Sequence, residues 1–241
     1  MKIMKFGGTS VGKPERMQQI VSLVSKETEP IIVVLSALSG TTNALVEIGN
    51  HIANGDRGTA KQTIDKLEKH YQDFISELVK QPATSEKAKV IVAEHFEFLN
   101  IILKISFSEA LSKDILAQGE LLSTKIFSVY LEELGIDHLF LPALEFMTID
   151  HYDEPQIGSI KVKLSQILNQ HKDKKLFVTQ GYICRNTRGE VDNLKRGGSD
   201  YTASLIAAAI NASVCEIWTD IDGMHNNDPR IVKKTVPVEQ M

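Results

Sequence analysis

Between Asn193 and Ala203 the chain reads Asn-Leu-Lys-Arg-Gly-Gly-Ser-Asp-Tyr-Thr-Ala, a run that sets an anion binder, two glycines, a hydroxyl and a carboxylate side by side. The guanidinium of Arg196 is a planar fork suited to a carboxylate or a phosphate. Gly197 and Gly198 let the main chain approach a ligand closely. Leu205, Ile206, Ala209 and Ile210 then recur at helical spacing, so Ser199 or Asp200 is expected to cap a helix whose free N–H groups and positive dipole end face the loop. Such an end attracts anions. Taken alone, the run equally describes a glycine turn before an ordinary capped helix, and the remaining loops have to decide between the two.

Two more loops of this kind lie near the N-terminus. Lys5 sits on a predicted strand, Lys2 to Phe6, that opens into Gly7-Gly-Thr-Ser-Val-Gly12-Lys13. This comes within one residue of the G-x-x-x-x-G-K-S/T phosphate loop, but Pro14 stands where the hydroxyl should be and has neither an oxygen for magnesium nor an N–H for a phosphate. The second strand ends in Ser36 rather than a metal-binding aspartate, a further departure from the P-loop class. A dinucleotide fold is disfavoured too, because neither loop has G-x-G-x-x-G spacing and no acidic residue ends the second strand. What is left is a strand lysine aimed at a glycine loop whose N–H groups can wrap phosphate oxygens. With Ser36-Ala-Leu-Ser-Gly-Thr-Thr-Asn43, which contains Gly40, three loops of glycine and small residues stand at strand ends. That set suits a long polyanion such as a nucleoside triphosphate.

The elements that must hold these loops follow from periodicity. After the first loop, Pro14 opens a helix with Met17, Ile20, Val21 and Val24 on one face. Ile31-Ile-Val-Val-Leu35 is a continuous β-branched run, typical of a strand buried on both faces. From Ala44 to about Leu134 the texture changes to amphipathic helices rich in Glu, Lys and Gln, punctuated by Gly55, Pro82 and Gly119, and we read this stretch as a helical lobe. Strands are predicted at His138–Leu141, Lys175–Thr179 and Val214–Thr219, with a helix over Ile157–Asn169. Alternating strands and helices with loops after the strand ends predict an α/β fold, three layers deep, with a mainly parallel sheet and ligands at the strand C-termini.

Composition bounds the partners. At 241 residues, 42% hydrophobic and 24% charged, the chain is long enough for one large domain or two small ones. A net charge of -4, with lysines scattered among acids, gives no reason to expect a nucleic-acid or acidic-membrane surface. Cys184 and Cys215 lie in or beside apolar runs without metal-ligand spacing, so buried free thiols in a reducing compartment are expected. The N-terminus enters a structured motif without a charged-then-apolar leader, and no apolar run approaches a membrane span, which reads as cytoplasmic.

Blocks spanning the chain stand in the order of one known family: Lys5-Phe-Gly-Gly-Thr-Ser-Val11, Ser36 to Asn43, Gln118-Gly-Glu-Leu-Leu-Ser123, Arg196 to Ala203, and Trp218-Thr-Asp-Ile-Asp-Gly223 followed by Asp228-Pro-Arg230. On these residues the chain resembles the aspartokinases of the amino-acid kinase family. The resemblance implies a carbamate-kinase-like fold over residues 1–241, incomplete at its C-terminal end, because family members continue into a helix carrying a second phosphate-binding lysine and often into regulatory domains. It implies that Lys5, Gly7 and Gly8 meet the ATP phosphates, with Ser36 and Gly40 lining the transfer site. Thr42, Glu120, Arg196, Gly197, Gly198 and Ser199 would hold L-aspartate. Asp200 would orient the catalytic lysine, while Thr219, Asp220, His225 and Arg230 would border the nucleoside and its phosphates. Free aspartate carries two carboxylates and an ammonium, which Arg196 and Glu120 complement.

The activity so implied is transfer of the γ-phosphoryl group of ATP, with Mg²⁺, to the side-chain carboxylate of aspartate, the step that opens lysine, threonine and methionine biosynthesis, in a homo-oligomer. No protein side chain is expected to bind the metal through a dedicated cluster. Two positions depart from the family pattern: Lys195 stands for a usual Gly and His225 for a frequent Tyr. A sibling kinase acting on glutamate, carbamate or a nucleoside monophosphate shares the phosphate loops, and a nucleotide-binding piece without turnover would share the binding residues. The Gln118-Gly119-Glu120 block and the helical lobe favour aspartate.

Overall fold

The structure, a computed structural model, describes residues 1–194, 197–220, 223–228 and 231–239. Strand β1 (Lys2–Phe6) leads through one helical turn, α1 (Gly8–Val11), into α2 (Pro14–Val24), and β2 (Ile31–Leu35) follows. Four helices then run without an intervening strand: α3 (Thr41–Ala53), α4 (Arg57–Leu78), α5 (Pro82–Ile102) and α6 (Glu109–Glu133). The chain returns to the sheet through β3 (Leu139–Phe140), α7 (Ala143–Phe146), α8 (Ile157–Gln170) and β4 (Leu176–Gln180). A hairpin of β5 (Ile183–Arg185) and β6 (Val191–Asn193) precedes α9 (Gly198–Ile210) and β7 (Val214–Trp218).

The main sheet has the order β3-β4-β2-β1-β7, and every pair in it is parallel. Parallel neighbours require crossovers that cover both faces, and strands so covered carry apolar side chains on both sides. β2 shows this alternation residue by residue: Ile31, Val33 and Leu35 enter a core with α2 and the α3–α6 lobe, whereas Ile32 and Val34 enter a second core with α7, α8 and α9. All these β2 residues are at most 2% exposed, so each contributes about 1.5–3 kcal/mol relative to exposure. In β1, Met4 and Phe6 face the first core and Ile3 the second. Lys5 therefore shares the α9 side with Ile3, since residues two apart on a strand point the same way. This register decides what Lys5 can meet.

Several sequence expectations shift. The lobe begins at Thr41 rather than Ala44. Gly119 does not punctuate it but sits inside the 25-residue helix α6. The loop after β1 closes into the turn α1. Neither Ser199 nor Asp200 caps α9: Gly197, in the left-handed conformation, is the cap, and both lie in the first turn. Cys184 is buried as expected, but Cys215 is exposed, because β7 lies at the sheet margin with Val214, Ile217 and Trp218 at least 38% exposed. The antiparallel hairpin of β5 and β6 was not foreseen. No helix among the described residues is long and apolar enough to cross a membrane.

Candidate active site

The C-terminal ends of β1, β2 and β4 point the same way, so the loops after them, the middle of α6 and the first turn of α9 meet around one cleft of about 740 Å³. Two glycines hold its walls together by close approach. A methyl group on Gly119 would come within 2.7 Å of Ala37 Cβ, so only glycine lets α6 lie against the loop after β2. One on Gly198 would meet Tyr182 Cδ2 at 2.5 Å, which seats the start of α9 against the loop after β4. Further bonds fix the same walls. Ser123 Oγ donates to the Ser36 carbonyl at 2.7 Å. Gln180 Nε2 donates to Thr124 Oγ1 at 2.8 Å, and Thr124 Oγ1 donates to the Glu120 carbonyl at 2.7 Å.

In this cleft Lys5 Nζ forms an ion pair with Asp200 Oδ1 at 2.6 Å. The Lys5 side chain is only 10% exposed, whereas that of Asp200 is 52% exposed at the mouth. The carboxylate lies in the first turn of α9, where the helix dipole also favours negative charge. A methyl group on Gly7 would stand 3.2 Å from Lys5 Nζ, so the glycine leaves the ammonium room beside its own loop. Gly8, Ser36, Gly40, Ser199 and Asp200 line this cleft with Lys5. The arrangement is a lysine ion-paired to a helix-start carboxylate among small residues.

Glu120, 4% exposed on α6, also lines the cleft. Its Oε1 accepts a bond from the Ala37 N–H at 3.3 Å, and its Oε2 has no partner. Burial pushes its carboxyl up to about 7, opposed only partly by the Ala37 N–H and a local backbone bond. A buried, half-satisfied carboxylate in a cleft is a receptor for a cation. Thr42, Gly197 and Gly198 line the same space. Gln118, from the same block as Glu120, instead turns outward from the cleft: its Oε1 meets His95 Nδ1 at 2.5 Å, and Lys125 Nζ lies 2.9 Å from His95 Nε2. Burial first and the Lys125 charge second bring the His95 ring down to about 4, so it is neutral and accepts from the lysine.

Thr219 and Asp220 are not in this cleft. They line a separate groove of about 420 Å³ with Phe6, Arg16 and Trp218. His225 lies beyond, its Nδ1 2.9 Å from Thr235 Oγ1. Arg196, Arg230 and Lys195 lie outside the described residues. Conversely, Lys113, Tyr182 and Asn193 line the cleft and were given no role from the sequence, although Asn193 opens the run that ends at Ala203. Tyr182 has φ of 67°, an uncommon conformation for a side chain of its size, and burial first and the Glu120 charge second raise its phenol to about 12. The signal was present in its place directly after a strand end and a glycine, Gln180-Gly181. Among the described residues no group of three or more His, Cys, Asp or Glu could hold a metal ion.

Comparison with known proteins follows the same lines. The model of the amino acid kinase family matches residues 1–241. Lysine-sensitive aspartokinase 3 of Escherichia coli (strain K12) is 31% identical over 244 residues, covering 99% of this chain and 53% of that protein. Aspartokinase 2, chloroplastic, of Arabidopsis thaliana is 33% identical over 242 residues, covering 95% of this chain and 43% of that protein. The crystal structure of E. coli aspartokinase III in complex with aspartate and ADP superposes with a TM-score of 0.85 at 28% identity, covering 99% of this chain and 53% of that one. The chain thus spans about half the length of the curated relatives it matches.

Proposed function

The chain belongs to the amino acid kinase family, and we propose that within it the cleft transfers the γ-phosphoryl group of ATP to the side-chain carboxylate of L-aspartate, giving 4-phospho-L-aspartate and ADP. The observation that carries this reading is the presence of both signs of charge in one cleft: the Lys5 ammonium, ion-paired with Asp200, and a buried carboxylate with a free oxygen on Glu120. A phosphate chain suits the first and an amino acid's ammonium the second. The similarity to aspartokinases of two organisms supports the choice of aspartate over a sibling substrate.

The chemistry asks for placement and charge. A carboxylate nucleophile is ionised at neutral pH, so attack on the γ-phosphorus needs no general base. Lys5, held by Asp200, meets the developing charge on the transferring group, and the N–H groups at the start of α1, on Gly8 and Thr9, bind the remaining phosphate oxygens, whereas the Gly7 N–H donates to the Trp218 carbonyl and Gly7 does not line the cleft. The start of α9 faces the same charge. Glu120 binds the substrate ammonium, and that contact restores its ionised form. Magnesium needs few protein ligands when phosphates and water fill its shell, and Asp200, half exposed at the mouth, is the carboxylate that fits it. The ion would supply charge neutralisation. Lys5 and Asp200 are therefore assigned to catalysis and Glu120, Thr42 and Ser199 to substrate, with Arg196 assigned to a substrate carboxylate by its residue type.

The test is ADP release measured with L-aspartate and L-glutamate side by side in the presence of Mg²⁺. Release that depends on aspartate and is weak with glutamate is expected. Release independent of either amino acid, or equal with both, contradicts the assignment.

A further inference from the structure

Asn193 sits on β6, opposite Ile183 of β5, and is one of the residues lining the cleft, together with Lys113, Glu120 and Tyr182. Neither polar atom of its amide has a hydrogen-bond partner, although both are sealed from water. Of the six buried side-chain atoms in this condition among the described residues, three belong to Glu120 and Asn193, the two such residues in this cleft. Buried amides are normally satisfied, and an orphaned pair of donor and acceptor costs stability that an apolar side chain of the same shape would not.

The backbone does not need this amide. β6 is held by its pairing to β5, by the Leu194 N–H donating to the Tyr182 carbonyl at 2.7 Å, and by the Lys113–Asp192 ion pair at 2.8 Å, which ties the strand to α6. The terminal torsion of an asparagine is broad, so a small rotation presents either atom to the cleft that the residue already lines. A side-chain amide both donates and accepts. The complementary ligand carries an acceptor and a donor close together, as the carboxylate and ammonium of an amino acid's α-carbon do.

Resting on the kinase reading above, the geometry points to Asn193 as a substrate-binding and specificity residue: its Nδ2 donates to the α-carboxylate of the amino-acid substrate and its Oδ1 accepts from the α-ammonium, whose charge Glu120 balances.

The experiment measures KM for L-aspartate and for ATP, together with thermal stability, in the wild type, Asn193→Leu and Asn193→Ala. Loss of hydrogen bonds to charged groups is expected to raise KM for aspartate about 10- to 100-fold in both variants. KM for ATP should stay within about twofold, on the view that the amide touches only the amino acid. The midpoint of Asn193→Leu should be equal to or above the wild type's, since an unsatisfied amide has been removed. An unchanged KM for aspartate overturns the assignment, as does an equal rise in both constants. A lowered midpoint with unchanged constants would make Asn193 structural. The wild type separates this proposal from its parent: aspartate-dependent turnover with indifferent variants defeats only Asn193, whereas a wild type showing none defeats the kinase reading itself.

Discussion

Under the proposed function, Lys5 and Glu120 solve the same problem, placing charge where a ligand would bring its opposite, in different ways. Lys5 is already paired: Asp200 neutralises the ammonium at 2.6 Å and remains half open to solvent. Glu120 is unpaired, its carboxylate buried with one oxygen orphaned, and the Asn193 amide, another lining residue of the cleft, is in the same state. A paired side chain at the mouth keeps its orientation whether or not a ligand is present. A buried, unsatisfied one costs stability in the empty protein and recovers it on binding, which makes it selective for a ligand with the matching group.

The largest effect that separates the two residues is expected from Lys5→Ala. Removing one positioned donor of transition-state charge costs about 3 kcal/mol or more, or roughly 100- to 1000-fold in kcat, with the fold retained by circular dichroism. A turnover number close to wild type would move catalysis away from Lys5.

Glu120→Gln comes next and acts on binding. KM for aspartate should rise about 10- to 100-fold. In the wild type it should fall as pH rises through about 7, where the carboxyl ionises, and the Gln variant should lose that dependence. Stability carries the opposite sign. Because the folded-state value is raised from 4.5 to about 7, the folded chain holds a proton that the unfolded chain has released across that window. Stability contributed by this group therefore declines as pH climbs through the window and is lowest above it. At pH 8 the Gln variant should be up to about 3 kcal/mol more stable than the wild type, read from urea unfolding. A destabilised Gln variant, or a flat wild-type profile, would show that Glu120 is satisfied in ways the geometry does not contain.

Gly119→Ala gives the smallest change. Its added methyl meets Ala37 Cβ at 2.7 Å, so overpacking of about 1–3 kcal/mol is expected in the melting midpoint, with a several-fold rise in KM for aspartate as Glu120 is displaced. A rise in KM for ATP alone would assign Gly119 to Lys5 rather than Glu120.

The same contrast explains what the sequence made legible. The surroundings of Lys5 are built from loops that directly follow strands, so Lys5, Gly8, Ser36, Gly40 and Asp200 could be picked out by local pattern: β-branched run, small-residue loop, helix. The surroundings of Glu120 are built by tertiary contact. Gly119 read as punctuation because a helix-interior glycine is usually a break, whereas here the close passage of α6 over Ala37 requires it. Glu120 was reached only through the family resemblance, since a lone acid on a helix pattern carries no address. Lys113 went unread because it finds Asp192 only across the packed chain, and Tyr182 and Asn193, the latter the first residue of the run that ends at Ala203, were given no role because β5 and β6 are three residues each, too short to alternate detectably. The main sheet was legible for the converse reason. β2 is apolar throughout because it is buried on both faces, whereas β7 was legible as a strand but not as an exposed margin, which is why Cys215 was expected to be buried.

The most direct test traps the bond that is formed. Wild-type protein is incubated with ATP, Mg²⁺, hydroxylamine and L-aspartate, and the aspartyl hydroxamate produced is counted against ADP released. A side-chain acyl phosphate predicts one hydroxamate per ADP with aspartate and background with glutamate. ADP formed without hydroxamate, or hydroxamate formed equally from glutamate, would contradict the account.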